Sequence, residues 1–460
     1  MFVWGKKRLS VTHGVGAWHG KAFQRYSTRG AGGKRQEHGQ NEVACASIGS
    51  GLLCRHIGKA GALTIFFAFG PHLRYNEHNH CVKTKEITMD SIRMSAPCLF
   101  GIEGVLADEL RRMGASEVTP DTGKVLFSGD EAMLARANLS SRFAERIQVQ
   151  LGEFPARTFE ELFEGVKALP WERWIGKQDA FPVKGWSLNS KLHSVPDCQA
   201  IVKKAAVERL KSAYRLPWFE ETGPVHQIQF SILKDRASVL LDTSGEGLHK
   251  RGYRPRANEA PIKETLAAAM ADLARVRGYS RVIDPFCGSG TLLIESALIA
   301  MRIAPGLNRT FAAEKWSAIP QKVWQEERQY AMSRIIRDNE FEAVGYDIDE
   351  HALELTRLNA KRAGVDSRIR VEKRDIRDFS DDGEKATILC NPPYGERLLD
   401  VKEAETLYRE MGKVFARKEK FGYYIISPHE DFEALFGRKA DKRRKLYNGM
   451  IKCQLYMYFK

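Results

Sequence analysis

Residues 391–398 read Asn-Pro-Pro-Tyr-Gly-Glu-Arg-Leu, directly after the apolar run Thr387–Cys390. Two adjacent prolines remove two amide donors and fix two φ angles, so strand pairing must stop there. What remains is a stiff corner flanked by the amide of Asn391 and the ring of Tyr394. It serves either as a strand-ending turn whose tyrosine packs on the core, or as a rigid cradle for a flat, polar ligand. A second stretch, Asp284-Pro285-Phe286-Cys287-Gly288-Ser289-Gly290-Thr291, joins an apolar strand pattern to a helical one. Gly288 and Gly290 permit a tight turn and let a ligand approach the backbone. The third glycine of a dinucleotide loop is missing, and a carboxylate, Asp284, stands at the entrance. An acid there suits a ligand carrying positive charge rather than a pyrophosphate. S-adenosylmethionine, with an ammonium and a sulfonium, is such a ligand.

Asp347 ends the next strand pattern, where an acid can accept both ribose hydroxyls. It lies 59 residues past Gly288, against roughly 20 in a dinucleotide-binding unit. The extra length is helical and aromatic in composition and argues against a plain NAD fold. Asp375 ends a third strand pattern and can accept from an adenine amine. As isolated acids, both would serve as helix N-caps; at successive strand ends of one sheet, the ligand reading gains. The Asn391–Tyr394 corner then falls across the crevice from the glycine loop.

That juxtaposition suggests a reaction. An exocyclic amine on a nucleobase is a poor nucleophile because its lone pair is conjugated into the ring. Accepting its two N–H groups, at the Asn391 side-chain oxygen and the Pro392 carbonyl, would localise that lone pair toward a sulfonium methyl. Pro393 stiffens the corner, and Tyr394 would hold the base by stacking. Transfer is then an in-line displacement governed by positioning and desolvation, and a base embedded in a duplex would have to be flipped out. No strong general base stands out, and none is required.

The elements that must carry these residues follow from periodicity. From about Leu248 to Lys460, the strand patterns RVIDPF, AVGYDID, RIRVEKRD, ATILCNPP and GYYIIS alternate with helical stretches. This predicts a mostly parallel sheet with helices on both faces, binding ligands beyond the carboxyl ends of its strands. The terminal LYNGMIKCQLYMYF is expected to be an antiparallel strand closing one edge. Ahead of it, residues 97–155 read as a small αβ module. Residues 156–247 read as a second, with a helix over DCQAIVKKAAVERLKSAY and two alternating strands around Lys234-Asp235. Lys203 and Lys204 on that helix are candidate RNA contacts, or simply solvated lysines.

The 460-residue chain carries a net charge of +14 and is 43% hydrophobic, enough for two or three domains with a sizeable core. No apolar run is long enough to span a bilayer as a helix. Its eight cysteines show no CxxC spacing, which fits reduced cytosolic thiols rather than a disulfide framework or a zinc site, so no metal is expected. Residues 1–88 hold 13 Lys/Arg and four Asp/Glu, a net +9, and seven of the twelve histidines; the remaining residues net only +5. Three readings of this leader stay open: an organelle transit peptide, a basic nucleic-acid tail, or a mis-extended start with the protein beginning at Met89 or Met94. The third is favoured because so sharp a break in composition rarely falls within one folded unit. Residues 1–94 are accordingly expected to be unstructured.

Taken together, LFGIEGVLADEL, LHKRGYRPRANEAPIKETLAAAM, DPFCGSGTLLIESALIA, IAPGLNRTFAAEKW, GYDID, NPPYGERL and LYNGMIKC resemble the THUMP-domain class I methyltransferases. The nearest group is the bacterial 23S rRNA guanine-N2 methyltransferases with a single catalytic domain. The resemblance implies a ferredoxin-like segment, a THUMP RNA-binding domain, and a Rossmann-like seven-stranded catalytic domain using S-adenosylmethionine. By position it implies that Pro261, Glu264 and Thr265 border the cofactor pocket. It also implies that Lys250, Arg251, Tyr253 and Arg254 form a basic linker touching RNA phosphates, with Arg397 joining that set. The implied product is N2-methylguanosine in RNA, 23S rRNA first and tRNA as the alternative. The partner is then RNA, bare or in a pre-ribosomal particle, and the setting cytoplasmic, with a monomer expected. Adenine-N6 or cytosine-N4 methylation of nucleic acid shares the NPPY corner, and a non-catalytic RNA-binding assembly factor is the remaining rival.

Overall fold

The computed structural model describes residues 43–48, 51–57, 63–69, 91–254, 262–380, 384–394, 400–415 and 420–459. It separates into two units, Met1–Thr88 and Met89–Lys460. In the first, β1 (Val43–Ile48), β2 (Gly51–Ile57) and β3 (Leu63–Phe69) form a three-stranded antiparallel sheet. These three segments depart from the expectation of an unstructured leader: the β-branched and aromatic run LTIFFAF favours a strand regardless of the basic residues around it.

The second unit begins earlier than Pro97. Its first strand, β4, is Ile92–Pro97. It is followed by α1 (Glu103–Met113), β5 (Ser116–Asp121), β6 (Lys124–Gly129), α2 (Glu131–Ser140) and β7 (Gln148–Pro155). Leu106 and Leu110 seat α1 on the sheet, and Asp130 caps α2 by accepting from the Met133 amide at 2.7 Å. The βαββαβ order with sheet neighbours β5-β6-β4-β7 is ferredoxin-like.

The THUMP domain continues with α3 (Phe159–Lys167), β8 (Val183–Leu188), α4 (Val195–Tyr214), β9 (Gln227–Leu233) and β10 (Arg236–Asp242). The β9–β10 hairpin turns on Lys234 and Asp235, both at positive φ. Strand β10 pairs antiparallel with β7, so the ferredoxin-like and THUMP domains share one seven-stranded sheet, β5-β6-β4-β7-β10-β9-β8.

The catalytic domain alternates α5 (Glu264–Leu273), β11 (Arg281–Asp284), α6 (Thr291–Ala300), α7 (Gln321–Ser333), β12 (Glu342–Asp347), α8 (Glu350–Ala363), β13 (Ile369–Lys373), β14 (Ala386–Cys390), α9 (Val401–Val414), β15 (Phe421–Ser427) and α10 (Phe432–Phe436). Two further strands, β16 (Lys442–Asn448) and β17 (Ile451–Tyr458), close the chain. The sheet order is β13-β12-β11-β14-β15-β17-β16, parallel through β15 and antiparallel beyond. The C-terminus is therefore a hairpin rather than one closing strand, and β17, buried on the strength of Leu455, Tyr456, Met457 and Tyr458, inserts between β15 and the edge strand β16.

The long segment between α6 and β12 docks against the N-terminal domains. Arg136 of α2 forms a bidentate pair with Glu327 of α7, at 2.6 and 2.9 Å. The Trp316 ring stacks on His226 of the THUMP domain at 4.2 Å and donates from its indole N–H to the Val225 carbonyl. The extra residues that argued against a plain NAD fold thus fasten the C-terminal domain to the two N-terminal modules.

Candidate active site

Strand order reverses between β11 and β14, which is where doubly wound sheets leave a crevice. A cavity of about 1300 Å³ opens there. Its walls include Asp284, Pro285, Phe286, Cys287, Gly288, Ser289 and Thr291 after β11, Asp347 at the end of β12, Asp375 after β13, and Asn391 and Pro393 after β14. Asp284 and Asn391, 107 residues apart in sequence, are brought to one surface because parallel strands end on the same side of the sheet.

The glycine loop is rigid. Gly288 and Gly290 take φ of +53° and +79°, and a Cβ on Gly290 would stand 2.6 Å from Thr356 Cγ2. Thr356 and Asn359 on α8 brace the loop: the threonine hydroxyl donates to the Gly288 carbonyl at 2.8 Å and the Asn359 amide to the Ser289 carbonyl at 3.0 Å. Nothing in the local pattern marks these two helix positions as part of the site. Asp347 accepts from the Gly288 amide at 2.9 Å through one carboxylate oxygen and from the Asp349 amide through the other.

Asp284 is 1% exposed, accepts from the Phe286 amide, and has no cationic partner among the described residues. Burial, opposed by that hydrogen bond and reinforced by the charge of Asp347, pushes its carboxyl up to about 8. Asp375 is different. Arg377 grips both of its oxygens, at 2.9 and 2.7 Å, and holds its carboxyl down at about 2. It is a cap as well as a wall, since it also accepts from the Arg377 amide. Ile348 and Ile376 add apolar surface between these acids, and Leu407 and Glu410 of α9 form the far wall.

At the end of β14, the side-chain oxygen of Asn391 is buried and no donor among the described residues reaches it. An unmet acceptor in a cavity is costly unless a ligand supplies the donor. Tyr394 does not line the cavity. Its ring packs on the core and its hydroxyl accepts from Asn448 Nδ2 at 2.8 Å, so in this geometry it braces the corner instead of presenting a stacking face.

Several expected contacts are placed elsewhere. Thr265 is fully buried and donates to Glu145 of the ferredoxin-like domain at 2.6 Å. Glu264 pairs with Arg254 at 2.9 Å, outside the cavity wall, although Arg254 also donates to Thr291 on that wall. Pro261 and Arg397 lie outside the described residues. Of the four linker residues expected to touch RNA, Lys250 alone is exposed. Arg251 and Tyr253 both reach the buried carboxylate Glu295 of α6, and Arg251 also donates to the Arg142 carbonyl. Arg251, Tyr253 and Arg254 therefore lock the linker onto the catalytic domain and offer no side chain to phosphate. Lys203 is likewise committed, to Glu221 at 2.5 Å and to the Phe181 carbonyl, whereas Lys204 stays exposed.

Comparison with known proteins bears on this arrangement. Residues 251–457 match the family described as the RMKL-like methyltransferase domain, residues 93–148 the RlmL ferredoxin-like domain, and residues 156–242 the THUMP domain. The chain is 45% identical to YpsC of Bacillus subtilis (strain 168), a candidate RNA methyltransferase, over 81% of this chain and 97% of that one. It is 35% identical to the ribosomal RNA large subunit methyltransferase K/L of Syntrophotalea carbinolica, over 79% of this chain but only 53% of the relative, about half its length. A crystal structure of SMU.472, a candidate methyltransferase complexed with S-adenosylhomocysteine, superposes with a TM-score of 0.77 at 43% identity, covering 80% of this chain and 98% of that one.

Proposed function

The chain belongs to the family of THUMP-bearing, RMKL-like methyltransferases that depend on S-adenosylmethionine, and from that premise we propose that it methylates the exocyclic N2 amine of a guanosine in RNA, 23S rRNA first. The observation that carries this reading is the orphaned, buried oxygen of Asn391 in the same cavity as the unpaired acid Asp284. Among the described residues Asp284 has no cationic partner and Asn391 Oδ1 no donor, and a cationic cofactor with an amine substrate would satisfy both.

The residues present fit the cofactor. The glycine loop would give it backbone access, Asp347 would take the ribose hydroxyls, Asp375 the adenine amine, and Asp284 the cationic end. When bound, S-adenosylmethionine supplies a methyl group on a cationic sulfur leaving group. Asn391 Oδ1 and the Pro392 carbonyl accept the two amine N–H groups, which localises the nitrogen lone pair and orients it. The prolines keep that carbonyl from turning away, and Tyr394, tied to Asn448, keeps the corner from rocking. The proton leaves after transfer, when the amine has become acidic, so no buried base is needed.

RNA as the substrate, and ribosomal RNA within it, is supported by the THUMP match and by the names of the relatives. Guanine N2 rests on the family resemblance. This assignment places the protein in the cytoplasm; no helix among the described residues is long and apolar enough to cross a membrane. The test is nucleoside analysis of rRNA and tRNA from a deletion strain. Loss of N2-methylguanosine at one rRNA position is expected, and an unchanged N2-methylguanosine content sinks the proposal. Loss from tRNA, or loss of N6-methyladenosine or N4-methylcytidine, would select one of the alternatives.

A further inference from the structure

The hairpin of β16 and β17 turns on two residues, Gly449 and Met450, between the paired Asn448 and Ile451. Gly449 takes φ +64°, as the first central position of a type II′ turn requires. Met450, at the tip, is 97% exposed, and Ile451 beside it is half exposed. The root of this tip is fastened to the catalytic corner. Asn448 Nδ2 donates to the Tyr394 hydroxyl at 2.8 Å, and Cys453 Sγ lies 3.9 Å from the same oxygen.

Alternation along paired strands sorts the hairpin into two faces. Asn448, Leu446 and Cys453 share the face that meets Tyr394. Lys445, Tyr447 and Lys452 share the other. There the Lys445 ammonium stands 5.3 Å from the Tyr447 ring centre, and Phe100, half exposed on the ferredoxin-like domain, meets that ring edge-on at 5.7 Å. Arg444 donates to the Gly101 carbonyl at 3.0 Å and holds the two surfaces in register. An apolar tip thus stands between the amine-gripping corner and a surface of cations and aromatic rings.

We propose that Met450 is a wedge that enters the base stack of an RNA stem where the target nucleotide has swung out, while Lys445 and Lys452 meet the phosphates of the stem. The inference rests on the RNA-methylation reading. A base inside a duplex must leave its stack to reach Asn391, at a cost of a few kcal/mol, and a side chain that fills the gap opposes its return. Apolar residues on protruding elements do this in duplexes, and methionine is among them. The attachment of Asn448 to Tyr394 sets the distance between wedge and catalytic corner, so that one docking event opens the stack and delivers the base.

The experiment uses the full chain and a large-subunit RNA transcript containing the nucleotide mapped in the deletion strain, with its pairing partner intact or mutated to a mismatch. Single-turnover methyl transfer is followed, together with the fluorescence of 2-aminopurine placed next to the target, without cofactor. Met450→Ala is expected to slow transfer to the paired transcript about tenfold or more and to suppress the fluorescence rise. It should leave the mismatched transcript within about twofold of wild type. Met450→Leu should restore both readouts, and Lys445→Ala with Lys452→Ala should weaken RNA binding and flatten its salt dependence. A Met450→Ala protein equal to wild type on the paired transcript, equally slowed on both, or a target that is unpaired in the RNA, overturns the wedge. A wild-type protein that methylates neither transcript overturns the RNA reading itself.

Discussion

The carboxylate of Asp347 accepts a hydrogen bond from the amide of Gly288 at 2.9 Å, across 59 residues of chain. Through that bond the end of β12 sets the shape of the loop that follows β11. Two strand ends that a sequence presents separately are one rigid device in the fold, and the acid assigned to a ribose is already at work holding the glycine loop.

Gly290→Ala tests that rigidity. The substitution places a methyl group 2.6 Å from Thr356 in a backbone of φ +79°. A strained, left-handed residue costs about 1–3 kcal/mol, so a lower melting temperature and loss of S-adenosylhomocysteine binding by calorimetry are expected. Because the φ penalty remains, Gly290→Ala combined with Thr356→Ser should recover only part of either. Full recovery would show that crowding alone matters.

Asn391→Ala should separate binding from chemistry. Removing one preorganised group at the reacting centre costs roughly 10²–10³-fold in rate, while cofactor affinity should change only a few-fold. Burst methylation of RNA and calorimetry with S-adenosylhomocysteine measure the two. Full activity in this variant would remove the amine-gripping role.

Cofactor affinity should depend on pH through Asp284. Its carboxyl titrates at about 8 in the ligand-free protein, and a bound cation would lower that value. Below about pH 8, binding therefore releases a proton. The dissociation constant for S-adenosylmethionine should fall as pH rises from about 6 to 8, by up to roughly tenfold per unit, and level off above. Asp284→Asn should bind more weakly and without this slope. A flat wild-type profile would place the cation elsewhere.

Glu145 should matter for stability although it lies in the ferredoxin-like domain. Burial alone would raise its carboxyl, but the His249 ring at 3.1 Å, the hydrogen bond from Thr265 and the charge of Lys263 prevail and hold it at about 2. The folded value is depressed, so the stabilisation is complete above about pH 5 and is lost as pH falls from about 4.5 toward 2, a difference worth about 3 kcal/mol. Glu145→Ala should lower the denaturant midpoint at pH 7 and show a shallower acid transition than wild type. Equal midpoints at pH 7 would mean that the linker is held by other contacts.

That the strand ends share one cavity was legible. Asp284, the glycines, Asp347 and Asn391 stand where strand patterns end, and parallel strands place such residues together. The linker was misread for a physical reason. His249–Arg254 is basic in sequence, but its partners Glu295, Glu264 and Glu145 lie at other positions along the chain. A charge run reports composition, and only packing reports whether a counter-charge waits beneath it. Tyr394 was misplaced similarly, because an aromatic after two prolines can face either the crevice or the hairpin, and Asn448 decides.

By itself the sequence determined the local terms: the alternation of strands and helices, the corner that two prolines must make, the loop that only glycines can turn, and the acid at its mouth. These follow from backbone sterics and period, which act over a few residues. The tertiary structure decided what depends on distant pairing. It inserted β17 inside the sheet, ran one sheet through two domains, and brought Thr356 and Asn359 under the glycine loop. Among the described residues it also left the oxygen of Asn391 without a donor. Whether a polar atom is satisfied is a property of every chain segment that folds around it, and no short stretch of sequence contains that information.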